Sequence, residues 1–574
     1  VFVAACSAPA DTGPVAPPPA GLTVVDLAPE VGVQGALPDT VYHGRACLAA
    51  DFDGDERTDL WVGNPGDDSY VMLADASYQF SPGYFLEGGV IAWAGAAADY
   101  DDDGDTDVFV AAGGNEQPDF SFLLENTTID GGVPGAFGFR DATASAGVAG
   151  TIDPETGELW PIRAAGGAWG DVDLDGDLDL FVSVNKLDSP EGGPEEGRNL
   201  LYRNDGGGVF TEIGKQAGLD AGARRPTRHS ALFDADNDGD LDLYENNYKE
   251  PNVFWRNRMA DDGVMRFEDA TTEWGLPGER LDYPSDSYAA AGVDFNNDGW
   301  TDLIVFAKGD DPGRDTPYPP GHALFLNTGG LGRVGFVNVA QAAGINDELD
   351  TEYGVMGCQA ADLDADGVPD VYVGNGAPVS SSPDFFFLSE GTAELTIDGL
   401  GTLSYPTYVS GTYLIDFPAD MPPALVYAHP YPYHTHGQCA ADFDGDGYYE
   451  LFVTNGGPAF SEHAEPDRLF DFVFGVTPPA IRVRLEGDGV RVNRDAIGAA
   501  ITVRWTDGGG AARATRGLVQ AGTSFSAQND RVLTLGMPGV QRVDALEVVW
   551  PDGTTQQVDG PYPTTPTEVV VITR

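Results

Sequence analysis

The sequence predicts an all-β fold: a seven-bladed β-propeller followed by a small β-sandwich-like C-terminal domain. Three observations carry this reading. An acidic pattern, D-x-[DN]-x-D-x-x-x-[DE], recurs seven times, beginning at Asp51, Asp99, Asp171, Asp234, Asp294, Asp362 and Asp442. Successive copies start 48, 72, 63, 60, 68 and 80 residues apart by subtraction of these positions. That spacing holds four short strands with their turns, the content of one self-similar blade. The flanks alternate or run apolar, as in Ala165-Gly-Gly-Ala-Trp169 before the third copy and Leu180-Phe-Val182 after it, which argues strands on both sides. An EF-hand would instead need a helix on each side and a bidentate Glu at position 12.

Each acidic stretch has the donor set of a calcium loop. Side chains at positions 1, 3, 5 and 9 and the backbone carbonyl of position 7 supply oxygens for a hard cation that takes six to eight of them. The expected ligands are Asp51, Asp53, Asp55, Arg57 and Asp59 in the first loop, and Asp99, Asp101, Asp103, Asp105 and Asp107 in the second. Asp171, Asp173, Asp175, Asp177 and Asp179 form the third, and Asp234, Asp236, Asp238, Asp240 and Asp242 the fourth. The fifth has Asp294, Asn296, Asp298, Trp300 and Asp302, and the sixth Asp362, Asp364, Asp366, Val368 and Asp370. The seventh has Asp442, Asp444, Asp446, Tyr448 and Glu450. Up to seven Ca²⁺ ions, one per blade, are expected to tie down turns rather than to catalyse. Asn296 and Glu450 mark two atypical loops.

Composition bounds the partners. The 574 residues hold 92 acids against 30 bases, a formal net charge of −62. Seven divalent cations would cancel fourteen of those charges and leave the chain strongly acidic. Nucleic acid and anionic lipid are therefore poor partners. Enzyme signatures are missing: the sequence has no H-E-x-x-H, no G-x-S-x-G elbow and no phosphate-binding Gly loop. Its four lysines, Lys186, Lys215, Lys249 and Lys308, stand in no recognisable nucleophile context.

In chain order, residues 1–20 read as a lipoprotein-signal remnant with a Pro/Ala-rich linker, in which Cys6 is the residue that would carry a lipid anchor. This predicts an exported protein, an outer-membrane lipoprotein or otherwise at the cell surface or outside the cell. Residues 21–478 make up the propeller. Within it two further phrases recur. One is F-x-D-x-x-x-x-x-G, as in Phe139 to Gly147, Phe210 to Gly218, Phe267 to Gly275 and Phe336 to Gly344, with Leu22 to Gly32 as a variant. The other is N-x-L-Y-R-N, as in Asn199 to Asn204 and Asn252 to Asn257, shortened at Leu324 to Asn327. Residues 479–574 alternate with period two at Ile481/Val483/Leu485, Ile501/Val503/Trp505, Leu546/Val548/Trp550 and Val569/Val571, the pattern of a small β-domain packed on the propeller.

These phrases together resemble the FG-GAP/VCBS-type calcium-binding propellers, and more specifically the cartilage acidic protein 1-like bacterial family, in which such a propeller precedes an ASPIC/UnbV domain. Asn493-Arg-Asp-Ala-Ile-Gly-Ala499, Gly522-Thr-Ser-Phe-Ser-Ala-Gln528 and Leu546-Glu-Val-Val-Trp-Pro-Asp-Gly553 are similar to segments of the latter. Phe525 stands where that family has Tyr, and Leu533-Thr-Leu-Gly536 replaces a His-Phe-Gly-Leu phrase. The resemblance implies an extracellular calcium-binding protein.

Topology then assigns the faces. The chain enters each acidic loop from an inner strand and leaves on the next strand outward, so all seven loops share one face of the disc. The long inserts fall on the other: Thr151 to Pro161, Leu187 to Gly197, Gly309 to Gly321, Gly376 to Asp384, Phe460 to Asp467 and, longest, Tyr405 to His436 with its aromatics and histidines. Variable loops on a rigid scaffold are where binding concentrates. The function expected is a non-enzymatic, calcium-stabilised surface binding or adhesion protein, with a protein or glycan ligand on the face opposite the calcium loops. The alternative is a carbohydrate-active propeller, a lectin or polysaccharide-cleaving enzyme. Strand parity further predicts that Cys439 bonds either Cys358 or Cys47, with free buried thiols as the alternative.

Overall fold

The computed structural model describes residues 22–33, 45–65, 68–114, 118–130, 133–134, 136–152, 159–186, 197–219, 225–276, 285–307, 322–345, 355–376, 384–410, 435–455, 467–566 and 568–574. Six four-stranded antiparallel meanders follow one another, each starting at the axis. Their first and last strands are Ala46–Ala50 and Phe80–Leu86, Ala92–Ala98 and Phe139–Asp141, Ala164–Gly170 and Phe210–Glu212, Thr227–Phe233 and Phe267–Asp269, Ser285–Val293 and Phe336–Asn338, and Val355–Ala361 and Gly401–Ser410. A seventh unit, Thr435–Ala441, Glu450–Asn455 and Arg468–Phe474, takes its fourth strand from the N-terminal segment Leu22–Asp26. Each inner strand packs beside the next and the seventh packs beside the first, which closes the ring.

The recurring phrases have structural causes. Inner strands are small-residue sequences such as Ala92-Trp-Ala-Gly-Ala-Ala-Ala98, fully buried, so seven can converge on one axis. The F-x-D-x-x-x-x-x-G phrase is the outer strand running into one helical turn, as in Phe336–Asn338 and Ala340–Ala343. It locks onto the next blade: the Phe267 and Phe336 N–H groups donate to Ala217 and Trp274 carbonyls, both at 2.7 Å. Gly218, at φ +87, ends the third copy where a Cβ would stand 3.0 Å from the Phe267 carbonyl. In the second to fifth blades an asparagine closes the third strand and staples neighbours. Asn126, Asn204, Asn257 and Asn327 donate to Phe52, Tyr100, Val172 and Ala235 carbonyls of the preceding blade at 2.7–3.0 Å.

The C-terminal domain has two sheets. One is Leu533–Gly536, Ala480–Glu486 and Val569–Thr573; the other is Ala512–Leu518, Ala500–Asp507, Val540–Val549 and Thr555–Val558. Three of the four period-two predictions hold, since Ile481, Val483, Leu485, Ile501, Val503, Trp505, Leu546, Val548 and Trp550 are all core residues. The fourth is off by one. Val570 and Ile572 pair with Val483 and Leu485 in parallel register and face inward, while Val571 is 44 % exposed. A strand of consecutive apolar residues gives no alternation from which to choose the face.

A finger of this domain, Ala521 to Gln528, lies along the axis of the ring. Ala527 and Gln528 pair in parallel with Cys47 and Leu48 of the first inner strand, and Ala521 bridges to Trp169 of the third. Ser526 donates to the Trp93 carbonyl at 2.9 Å, and the Phe525 ring meets Tyr288 edge-on at 6.1 Å. Gln528 accepts from Ala97 N–H at 2.9 Å and donates to Ala97 carbonyl at 2.8 Å. This is the role of the Gly522 to Gln528 motif.

Cys47, Cys358 and Cys439 are free, buried thiols, so neither disulfide predicted for Cys439 forms. The Cys47 thiol hydrogen-bonds Cys439 across the closure between the last and first blades, while Cys358 lies 3.5 Å from the Ser524 hydroxyl of the finger. Cys6 and the 1–20 segment fall outside the described residues, as do the middle parts of the inserts, including 411–434 with its histidines His429 and His434. The ends of the longest insert are corrected. Tyr405 and Tyr408 belong to the outer strand of the sixth blade, where Tyr408 is buried and donates to the Pro369 carbonyl, and His436 lies buried in the seventh inner strand.

Candidate metal centres

Each acidic stretch is one tight loop between an inner strand and its neighbour, and all seven share one backbone. Positions 4 and 6 are left-handed every time. The pair is Gly54/Glu56 in the first loop, Asp102/Gly104, Leu174/Gly176, Asn237/Gly239, Asn297/Gly299 and Ala365/Gly367 in the next five, and Gly445/Gly447 in the seventh. The pattern of acids alone missed this signal, although glycine stands at position 6 in six loops. A non-glycine residue there is strained by about 1–3 kcal/mol, which persists only where the surroundings enforce it.

The carboxylates divide their tasks by position. Position 9 is deepest: Asp59, Asp107, Asp179, Asp242, Asp302, Asp370 and Glu450 are all 0 % exposed, and each accepts the N–H of position 2. In the first six the second oxygen takes an N–H of the third strand, as Asp179 does from Asn204. Position 5 accepts the N–H of position 7 in every loop. Positions 1, 3 and 9 converge. Oxygens of Asp51/Asp53/Asp59, Asp99/Asp101/Asp107, Asp171/Asp173/Asp179 and Asp234/Asp236/Asp242 lie within 4.8 Å of one another, and in the seventh loop Asp442, Asp444, Asp446 and Glu450 all join.

The electrostatics of these clusters call for a cation. Burial first, and then neighbouring carboxylates, push Asp99 up to about 8 and Asp234 to about 7. Burial also takes Asp59 to about 8 and Asp171 to about 7, against partial relief from backbone N–H donors. Several buried carboxylate oxygens have no donor: Asp53 Oδ1, Asp101 Oδ1, Asp173 Oδ1, Asp236 Oδ1, Asp362 Oδ1 and Glu450 Oε1 among them. An acceptor left unpaired in the interior costs about 1–3 kcal/mol, more when charged. A divalent ion coordinated by these oxygens removes both penalties, so the residues present fit the group.

The C-terminal domain covers this face and touches every loop. Thr58 donates to Asp530, Asp99 N–H to Asp495, and Gly536 N–H to Asp362, at 2.7–3.0 Å. Arg516 N–H donates to Asn297 at 2.8 Å, and the Arg482 guanidinium pairs with Asp442 at 2.8 Å. At the third loop a Cβ on Gly176 would stand 2.7 Å from the Val490 carbonyl, and at the fourth a Cβ on Gly239 would meet Gly553 at 3.7 Å. The acidic loops are thus one face of an interdomain contact.

At the opposite end of each blade is a second repeated device that the sequence did not reveal. The N–H ending the second strand is capped by the side chain that opens the third: Ser69, Ser121, Asn199, Asn252, His322, Asp384 and Asp467. The capping groups are chemically unlike one another, so no repeated letter marks them. Nearby, six inner strands carry a bulge, at Trp93, Ala165, Arg228, Tyr288, Met356 and His436–Gly437. Bulges re-aim side chains and are frequent beside functional sites.

A model of the ASPIC and UnbV family matches residues 489–570, and one of the FG-GAP-like repeat matches 171–245 and 294–373, the latter two windows both opening on the first aspartate of an acidic loop. Cartilage acidic protein 1 of Homo sapiens is 24% identical over 283 residues, 46% of this chain and 38% of that protein. Its counterpart in Xenopus tropicalis is 31% identical over 112 residues, 20% and 16% respectively. The chain therefore spans well under two thirds of these relatives. Among solved structures, Saccharomyces cerevisiae Sqt1 superposes with a TM-score of 0.35 at 8% identity, covering 75% of this chain and 97% of that one. A six-bladed lectin of Aleuria aurantia gives 0.30 at 11% identity, covering 67% and 100%. The chain carries FG-GAP-like repeats and an ASPIC and UnbV domain, the combination that its motifs resembled.

Proposed function

We propose that the protein is a non-enzymatic, calcium-stabilised binding or adhesion protein of the cell surface or extracellular space, whose ligand contacts lie on the face opposite the acidic loops. One observation carries the reading. The C-terminal domain contacts all seven loops and fills the axis from that side, so the loop face is already engaged within the chain. The opposite face receives the bulged inner-strand residues and the ends of the long inserts. Beneath that face an aromatic and cationic group is buried: the Arg45 guanidinium lies 4.2 Å above the Trp93 ring, and Arg228 lies 4.5 Å from Tyr248 and 5.2 Å from Tyr288, with Trp93, Arg228 and Tyr288 at 1, 2 and 4 % exposure, so it braces this end of the ring and offers little surface of its own.

The test is capture of glycans on an array, and of proteins from the organism's own surface fraction, by the calcium-loaded chain and by a variant lacking residues 411–432. Capture by the full chain that the deletion abolishes, with the calcium-dependent melting curve retained, is the expected result. Capture indifferent to the deletion would overturn it.

A further inference from the structure

The loops share a backbone but not a ligand set, and we propose that six of them take a cation while the fifth, Asp294 to Asp302, takes none and is closed instead by Arg516 of the C-terminal domain. This rests on the calcium reading of the loops. In each of the other six, at least one buried carboxylate oxygen is left without a donor. In the fifth, every side-chain oxygen at positions 1, 3, 5 and 9 has one. Asp294 accepts from Asp298 and Gly299 N–H at 3.1 and 2.8 Å, and Asp302 from Asn327 and Phe295 N–H at 2.7 and 2.9 Å. Asp298 accepts from Trp300 N–H at 2.9 Å and from the Asn296 amide at 3.2 Å.

An amide at position 3 does not by itself disqualify a calcium loop. What matters is where its atoms are spent. Asn296 Oδ1 accepts Asp298 N–H at 3.1 Å, and its NH₂ group donates to the Ser404 carbonyl of the sixth blade at 3.0 Å as well as to Asp298. The other loops have a carboxylate at this position, and here a donor stands in the place of its second oxygen. The guanidinium completes the closure. Arg516 Nη1 lies 3.5 Å from Asp294 Oδ2, with its side chain only 10% exposed, and its own N–H anchors it to Asn297.

The seventh loop shows that an arginine alone is not the criterion. Arg482 pairs with Asp442 there at 2.8 Å, yet four carboxylates still converge and Glu450 Oε1 still lacks a donor. The fifth loop has lost a carboxylate and gained a fixed positive charge together. Both changes lower the attraction for a divalent ion in the same direction.

Equilibrium dialysis with saturating Ca²⁺ should count six ions per chain. The double variant Asn296→Asp/Arg516→Gln should bind one more. It should also gain tryptophan-sensitised emission with Tb³⁺, because Trp300 occupies position 7 of that loop. If the double variant does not fold, as judged by its melting curve, Asn296→Asp alone serves and should gain the same signal at higher ion concentration. Seven ions on the natural chain, or no gain in either variant, would overturn the assignment. A count of zero would overturn the calcium reading itself and this inference with it, and is distinguishable from both.

Discussion

Each blade is tied off at both ends, and the two ends use opposite chemistry for the same task. At one end an N–H of the third strand is satisfied by a buried carboxylate, as Asn204 N–H is by Asp179 2.8 Å away. At the other, the N–H ending the second strand is satisfied by a small local side chain, as Val184 N–H is by Asn199 at 2.8 Å. In the first five blades the cap is a neutral side chain and complete as it stands; in the sixth and seventh it is a buried aspartate, Asp384 or Asp467, which burial pushes up to about 6 and about 7. The carboxylate end concentrates like charges in a buried volume, where burial and mutual repulsion raise every position-9 acid well above its ordinary range or, for Asp59, to about 8. The loop face of the disc is therefore chemically conditional in every blade, the other only where Asp384 and Asp467 supply the cap. The C-terminal domain is built onto the conditional face, so its docking and finger inherit the state of the loops.

The largest expected effect comes from removing the cation. A ligand at one hundred times its dissociation constant stabilises by about 2.7 kcal/mol per site, and several loops act together. Chelation should lower the melting temperature on the order of 10 °C or more. Hydrogen exchange should rise first in the loops and the Ala521 to Gln528 finger, and last at the second-strand ends capped by Ser121 or Asn199. Equal loss of protection at both ends of the blades would mean that the two ends do not differ in their dependence on the ion.

The next effect is a reversal of pH dependence. A carboxyl whose folded pKa lies above its unfolded value stabilises the fold while protonated, and that stability disappears as pH rises through the folded value. Asp99 at about 8, and Asp171 and Asp234 at about 7, place the window between roughly pH 5 and 8 for the cation-free chain. The melting temperature of protein dialysed free of divalent ions should therefore fall from pH 5 to pH 8. With saturating Ca²⁺ the sign inverts, because the ion holds the carboxylates ionised and protons compete with it, so stability falls as pH drops. Parallel slopes in the two conditions would show that the loops do not hold the ion through these groups.

What the sequence made legible follows from what repeats in it. The acidic loops, the inner strands and the F-x-D-x-x-x-x-x-G segments use the same letters in successive blades because each copy meets the same surroundings, and these set both the architecture and the candidate metal ligands. The caps opposite use Ser, Asn, His and Asp for one hydrogen bond, and only the backbone geometry exposes them as a set. The Gly522 to Gln528 motif was recognisable as a phrase, but its place on the axis depends on pairing with Cys47 and Leu48, more than four hundred residues earlier. The face of Val569–Thr573 was misread because consecutive valines carry no period, and Tyr405 and Tyr408 because the sixth blade's outer hairpin is longer than the others, running Phe385–Ile397 and Gly401–Ser410.

The smallest expected effect is also the sharpest test of independence between the two ends. Ser121 is 1 % exposed and its hydroxyl accepts Ala112 N–H at 3.3 Å. Ser121→Ala removes that acceptor and leaves a buried donor unpaired, at a cost of about 1 kcal/mol. The cap stands at the far end of Asp107–Ala112 from the second loop, six residues of strand or about 20 Å away. The two groups share no partner among the described residues. Free-energy changes at such separated sites add to within about 0.3–0.5 kcal/mol. Denaturant unfolding of the natural chain and of Ser121→Ala, each with saturating Ca²⁺ and after its removal, closes a thermodynamic square. The penalty of the substitution should be the same in both rows. A penalty that grows by more than about 0.5 kcal/mol when the ion is withdrawn would mean that the strand transmits loop order to the opposite face.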